Sequence, residues 1–292
     1  MTMTVGSLFS GIGGLDLGLE RAGMEVIWQS EIDPYACRVL SKHWKEVPNH
    51  GNIKEINWGD IVQPDIICGG YPCQPFSIAG NRNGTDDPRH LWPWVREAIS
   101  ILRPRYAILE NVRGHVSLGL DVVLREMASI GYDAEWQIVS AASVGAPHRR
   151  DRVVIVAYPI GELAHTNNIG RIHGQPQIFT AERWINALSL IRASSPDVAN
   201  TTQQCVNVKF DYTSNSEQSQ KETESGDSSG TKGTSYWATE PNVGRVADGV
   251  SFRVDRLRGL GNAVVPQVAE FVGRMVIDYD NSQNRAASKG TE

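Results

Sequence analysis

An α/β fold built on a mainly parallel sheet is what the first 158 residues of this 292-residue chain predict. Three observations predict it. Short apolar runs alternate with helical patterns, as β-α-β-α units require. Glycine and proline punctuate the helix ends. Four chemically distinctive stretches fall just past candidate strands, where open α/β sheets hold their ligands.

The elements follow in order. VGSLF reads as a strand, SGIGG as a turn, and LDLGLERAG as a helix that stops at Gly23. EVIWQSE is a second strand, followed by a helix from Pro34 to about Trp44 with proline at its start. PDIICGG has the uninterrupted apolar character of a buried strand. RHLWPWVREAISILR is a helix with Pro93 in its first turn and Pro104 beyond its end. RYAILENV is a strand, SLGLDVVLREMASIG a helix, and AEWQIVSA and RVVIVAY two further strands.

Past Tyr158 the periodicity fades. Residues 159–240 form a separate, irregular region, and 213–235 within it are nearly free of apolar side chains. Such a stretch buries too little surface to offset its ordering entropy and is expected to be disordered. Order resumes in a C-terminal segment, 241–280, where a Gly-Asn turn at 261–262 precedes an apolar helix; 281–292 reads as a polar tail.

Composition narrows the function classes. No apolar run approaches 18 residues, so no membrane span is expected. MTMTVGSLFS lacks the basic and apolar regions of a signal peptide. Cys37, Cys68, Cys73 and Cys205 show neither CxxC nor Cys/His metal spacing, which fits reduced thiols, a cytoplasmic location and no metal. A net charge of −5 argues weakly against wholesale nucleic-acid binding, but net charge can hide a basic face. Two stretches are locally basic: HRRDR at 148–152, and a run with Arg245, Arg253, Arg256 and Arg258. Solvated surface is the plainer reading of both.

Phe9-Ser10-Gly11 follows the first strand, Glu31 ends the second, Cys73 lies past the third and Glu110 ends the fourth. SGIGG suits backbone approach to a ligand at a helix N-terminus, although a purely structural turn fits equally well. Its spacing is not GxGxxG. Glu31, about 20 residues on, is placed to accept hydrogen bonds from a ribose. Cys73 lies between Tyr71-Pro72 and Gln74-Pro75; the prolines hold an extended loop that presents the thiol. A desolvated Glu110 can stay protonated and serve as a general acid. Cysteine plus acid suits conjugate addition to an electron-poor ring.

SLFSGIGGLDLGLERAG, SEID, DIICGGYPCQPFS, ENV, HRRDR and GLGNAVVP occur in the order found in DNA (cytosine-5) methyltransferases. The chain resembles that family over roughly 1–158 and 244–275, with the middle unmatched. The resemblance implies a Rossmann-like, S-adenosyl-L-methionine-dependent methyltransferase fold with helices on both faces of the sheet and a small irregular target-recognition region. It implies Cys73 as the nucleophile for carbon 6 of a flipped-out cytosine, Glu110 as the acid at ring nitrogen 3, and Arg152, supported by Arg150, at the target base. A salt bridge from these arginines to Asp151 is the alternative. The S-adenosyl-L-methionine site implied is Phe9, Ser10, Gly11, Gly13 and Gly14, then Glu31 and Ile32, Asn52 and Ile53, Pro72, and Asn262 with Ala263 closing the pocket. The implied partner is double-stranded DNA, touched by Gln74, Ser77, Arg82, Arg89 and Arg149 and by the basic run up to Arg258. A monomer and a separately acting restriction endonuclease complete the expectation.

The departures are specific. Ser7 stands where the family often has Asp. Gly51-Asn52-Ile53 replaces the usual Gly-Asp-Ile, and the literal GDI at 59–61 lies too near Cys73 to align, making Asp60 a decoy. The stretch before Gly261-Asn262 barely matches the family's motif, leaving the recognised sequence open. A tRNA methyltransferase, a catalytically silent SAM- or DNA-binding protein and a Rossmann dehydrogenase are the rivals. No Cys-Phe-Thr tripeptide supports the first, the intact Cys73, Glu110 and Arg152 oppose the second, and glycine spacing opposes the third.

Overall fold

The computed structural model describes residues 2–72, 91–160, 177–194 and 253–289. The expectation of disorder at 213–235 falls outside them. In chain order the elements are β1 (Thr4–Leu8), α1 (Gly14–Arg21), β2 (Glu25–Ser30), α2 (Pro34–His43), β3 (Ile66–Gly69), α3 (Trp92–Leu102), β4 (Tyr106–Val112), α4 (Leu120–Ser129), β5 (Tyr132–Ser140), β6 (Asp151–Pro159), α5 (Ala181–Ser194), α6 (Arg253–Asn262) and α7 (Pro266–Lys289).

One sheet runs in the order β2-β1-β3-β4-β6-β5. Its first four strands are parallel, while β6 is antiparallel to β4 and β5 to β6. The reversal follows from chain length: residues 141–150 join β5 to β6 without a crossover helix, and a short link joins only antiparallel neighbours. Both faces are covered. Val5, Ile66, Ile108 and Val154 pack with Leu15 and Leu19 of α1 and with Phe271 and Met275 of α7. Leu8, Ile67, Leu109 and Ile155 pack with Val95 and Ile99 of α3 and with Val123 and Met127 of α4. Double coverage explains why these strands read as continuous apolar runs.

Local chemistry sets the helix ends. Gly23, at φ 101, closes α1 with Gly23 N–H to Glu20 O (2.9 Å) and Met24 N–H to Leu19 O (3.1 Å), the pattern of a Schellman motif. Asp33 caps α2 by accepting from the Tyr35 and Ala36 amides, ahead of Pro34. Pro93 sits in the first turn of α3, and Arg103 ends that helix in a left-handed conformation before Pro104.

Three expectations for the C-terminal half change. The irregular region contains α5, whose Trp184, Ala187 and Ile191 are buried; Trp184 meets Phe271 of α7 edge-on at 4.6 Å. Glu135 of β5 accepts hydrogen bonds from the Gln177, Ile178 and Phe179 amides, fixing the lead into α5. The Gly261-Asn262 turn is instead the last turn of α6, and the polar tail continues α7 as far as Lys289. Close approach of α7 to α1 depends on bare backbone. A Cβ on Gly18 would lie 2.3 Å from the Pro266 carbonyl oxygen and 2.4 Å from Ala269 Cβ.

A polar group lies beneath this helix pair. Ser7 pairs in register with Gln29 on one side and Cys68 on the other, and Asp16 of α1 sits close to them, fully buried. Among the described residues neither Asp16 carboxylate oxygen has a hydrogen-bond partner. Burial pushes its pKa up from 3.8 to about 7, with Ser7 and Gln29 only partly opposing. Asp16 therefore keeps its proton in the folded chain but not in the unfolded one between about pH 4 and 7, and its contribution to stability falls as pH rises through that window. The slope of that one contribution is about 1.4 kcal/mol per pH unit at most. Asp16→Asn is expected to flatten the fall, which urea midpoints from pH 5 to pH 8 would register; parallel wild-type and variant curves would contradict an uncharged Asp16 in the native state.

Candidate active site

The first half of the site is a tight coil after β1. Phe9, Gly11 and Gly13 have φ of 52, 55 and 83. Left-handed backbone suits glycine, whereas at Phe9 it costs on the order of 1–2 kcal/mol, strain of the kind that gathers at functional sites. Gly13 caps α1 and directs the helix N-terminus toward the coil. Glu31, leaving β2, accepts from Gly11 N–H on one oxygen and from Ile32 and Asp33 N–H on the other, all at 2.8 Å. One of its roughly four acceptor positions is left for a ligand. Asn49 fixes Glu31 in turn: its Oδ1 accepts from Glu31 N–H (2.9 Å) and its Nδ2 donates to Glu31 O (3.1 Å).

The remaining residues of this half divide. Asn52 Oδ1 accepts from Lys54 N–H (3.2 Å) and its Nδ2 donates to Glu55 (2.7 Å), so it caps the short 3-10 turn Ile53–Glu55. The Ile53 side chain is buried in the α3–α4 core. Ser10 turns its hydroxyl into the sheet, onto Ser7 Oγ at 2.9 Å, and Ile32 is exposed. α6 lies against the coil: a Cβ on Gly259 would be 3.1 Å from Ile12 Cγ2 and 3.6 Å from the Tyr35 ring. Arg258 pairs with Asp33. Asn262 is exposed at the end of α6, and a Cβ on Gly14 would meet the Val264 carbonyl at 2.5 Å.

The second half lies at the ends of β3 and β4. Register pairs Gly69 with Leu109, so Glu110 is the first residue of β4 beyond β3. Arg152 of β6 sits opposite Val112, one diagonal step from Glu110 and within reach of a long side chain. Its Nε lies 2.6 Å from Glu110 Oε1, with both side chains largely buried. A Cβ on Gly70 would come within 2.9 Å of Glu110 Oε2, so bare backbone makes room for the carboxyl group. Burial raises the Glu110 pKa from 4.5 to about 7, outweighing the opposing charges of Arg152 and Arg150.

Cys73, Gln74, Ser77, Arg82 and Arg89 lie outside the described residues. The approach to Cys73 does not. Asn111 Nδ2 donates to Tyr71 O at 3.1 Å, the Tyr71 hydroxyl and His115 Nε2 are 2.7 Å apart, and the Tyr71 and Trp92 rings are 5.3 Å apart. Pro72 follows directly, partly buried. Asn111, Tyr71 and His115 were not among the predicted site residues. An Asn directly behind Glu110 in a buried strand was the available signal for Asn111.

The basic motif is divided among three tasks. Arg152 takes Glu110, so Asp151 is not its carboxylate partner. Asp151 is met instead by the exposed Arg149 at 3.3 Å and Arg113 at 3.1 Å. Arg150 does not join Arg152 on Glu110 either. Its guanidinium donates to the main-chain carbonyls of Gly261 and Ala263, the latter at 2.8 Å, with Leu260 O at 3.5 Å.

A buried acid paired with an arginine thus lies at the end of β4, and a glycine coil bonded to a strand-end glutamate lies at the ends of β1 and β2. The chain belongs to the C-5 cytosine-specific DNA methylase family, whose model matches residues 3–254. It is 35% identical over 161 residues to the Type II methyltransferase M.BsuFI of Bacillus subtilis, covering 53% of this chain and 39% of that one. With the Type II methylase M.HgiEI of Herpetosiphon aurantiacus it shares 39% identity over 160 residues, 51% and 36% of the two chains. The match thus spans well under half the length of these relatives. A DNMT2 mutant structure from Spodoptera frugiperda aligns over 55% of this chain and 51% of its own, at 22% identity and a TM-score of 0.49.

Proposed function

We propose that this chain methylates carbon 5 of cytosine in duplex DNA, with S-adenosyl-L-methionine as methyl donor. The observation that carries the reading is the buried Glu110–Arg152 pair, set against Gly70 three residues before Cys73. The coil and Glu31 fit the donor: positive φ opens backbone N–H groups at a helix N-terminus, and Glu31 keeps acceptor capacity for a ribose hydroxyl. Phe9, Gly11, Gly13, Gly14, Glu31, Ile32, Asn52, Ile53, Pro72, Asn262 and Ala263 would hold it. When bound, S-adenosyl-L-methionine supplies an electrophilic methyl group.

The chain's own residues supply the rest. A target cytosine extruded from the stack leaves base pairing at a cost of a few kcal/mol. Phosphate contacts from Arg149, Arg82 and Arg89, together with DNA contacts from Gln74 and Ser77, would offset that cost. Cys73 thiolate forms a bond to carbon 6 while Glu110 delivers its proton to nitrogen 3, which leaves carbon 5 electron-rich. Arg152 orients Glu110 and faces the base. After carbon 5 takes the methyl group, its proton passes to water, the electron pair of that bond expels the Cys73 sulfur as thiolate, and nitrogen 3 returns its proton to Glu110, which restores the neutral aromatic ring.

Incubation of the chain with S-adenosyl-L-methionine and a duplex carrying 5-fluorocytosine is expected to give a stable protein–DNA adduct, because fluorine at carbon 5 cannot leave as a proton does. Absence of an adduct on duplexes that span the motif bisulfite sequencing finds methylated would sink the covalent mechanism. Methyl incorporation into tRNA but not duplex DNA would replace the substrate.

A further inference from the structure

We propose that Arg150 is a positioning residue of the cofactor pocket, acting through the α6–α7 junction rather than at the target base. The inference rests on the methyltransferase reading. The last carbonyls of a helix have no partner within it and carry its partial negative charge. Leu260 and Gly261 supply such carbonyls in the last turn of α6 and Ala263 is the first residue beyond it, and the Arg150 guanidinium meets all three from 110 or more residues away. A planar fork with several fixed donors can bracket carbonyls on successive residues, whereas an ammonium group is a single point charge. Asn262 and Ala263, the residues assigned to close the pocket, lie within this grip.

A second fastener holds the same helix. Arg258 ties α6 to Asp33, two residues past Glu31 and itself the cap of α2. Gly259 rests on Ile12 of the glycine coil between the two arginines. α6 is thus pinned to the cofactor half at Arg258 and, at its C-terminal end, to Arg150 just ahead of β6. Two residues beyond Arg150, β6 carries Arg152 on Glu110. Arg150 therefore sets the distance between the closing segment and the base-side pair, without touching either reactant.

Calorimetric titration of S-adenosyl-L-methionine into the full chain, beside transfer kinetics on duplex DNA, tests this. Arg150→Ala is expected to weaken cofactor binding ten- to a hundredfold and to raise cofactor KM by a similar factor. At saturating cofactor, kcat should fall less than fivefold, and added guanidinium ion should restore part of the affinity. Arg150→Lys should resemble Arg150→Ala rather than wild type. Unchanged cofactor affinity with loss of the 5-fluorocytosine adduct would overturn the proposal and return Arg150 to the base. Should Arg150→Ala not fold, Arg150→Lys decides, and wild-type affinity in that variant overturns the proposal. A wild-type chain that binds no cofactor overturns the functional reading itself, and this inference with it.

Discussion

Cys73→Ala is expected to abolish methyl transfer while leaving S-adenosyl-L-methionine affinity within about threefold of wild type. The two halves of the site explain the division. The glycine coil, Glu31 and Asn49 are bonded to one another along β1 and β2, whereas the stretch that leads to Cys73 is secured separately by Asn111 and His115. Replacing Cys73 removes none of the bonds in the first network. Without the covalent step carbon 5 never becomes nucleophilic, so loss of at least four orders of magnitude is expected, and tritium transfer from labelled cofactor would measure it. A parallel loss of cofactor binding would show that the halves are not independent.

Glu110→Gln tests the acid. The amide preserves shape beside Gly70 and still offers an oxygen to Arg152, but it has no proton to give. A positioned general acid contributes typically 10²–10⁴-fold, so a fall in that range is expected. The pH profile carries the sharper test. With Glu110 raised to about 7, the protonated form is depleted as pH rises through neutrality, and wild-type kcat/KM should decline above about pH 7. The residual rate of Glu110→Gln should lack that decline. An unchanged alkaline limb in the variant would assign the proton to another group.

The two-sided sheet was legible because burial on both faces makes strands apolar throughout, and because Gly23, Pro34 and Pro104 mark helix ends by steric rules local to a few residues. Strand direction was not: nothing in RVVIVAY distinguishes an antiparallel β6 from a parallel one. α5 escaped notice because exposed Ile185 and Leu190 blur the pattern of its buried Trp184, Ala187 and Ile191. In α6, Gly259, Gly261 and Asn262 resemble a turn. The helix passes through them because Gly259 must lie flat on Ile12 and Arg150 satisfies the terminal carbonyls. Glu31 and Glu110 could be picked out from residue type and strand-end position, whereas Arg152 and Arg150 came forward only through the family resemblance. Their supports could not be picked out, since Asn49, Asn111 and His115 act through contacts 18 to 44 residues distant.

The packing of α7 on α1 has a consequence in time. Leu15 and Leu19 share their core with Phe271 and Met275, and Gly18 receives the Pro266 backbone. At a synthesis rate of roughly 5–20 residues per second, about 12 to 50 seconds separate these partners on the ribosome. During that interval α1 presents an unfilled apolar stripe, and the coil beside it lacks α6 to rest on. A nascent chain should therefore neither capture cofactor nor modify DNA until α7 has been made, and that interval is when aggregation or chaperone capture competes most strongly with folding.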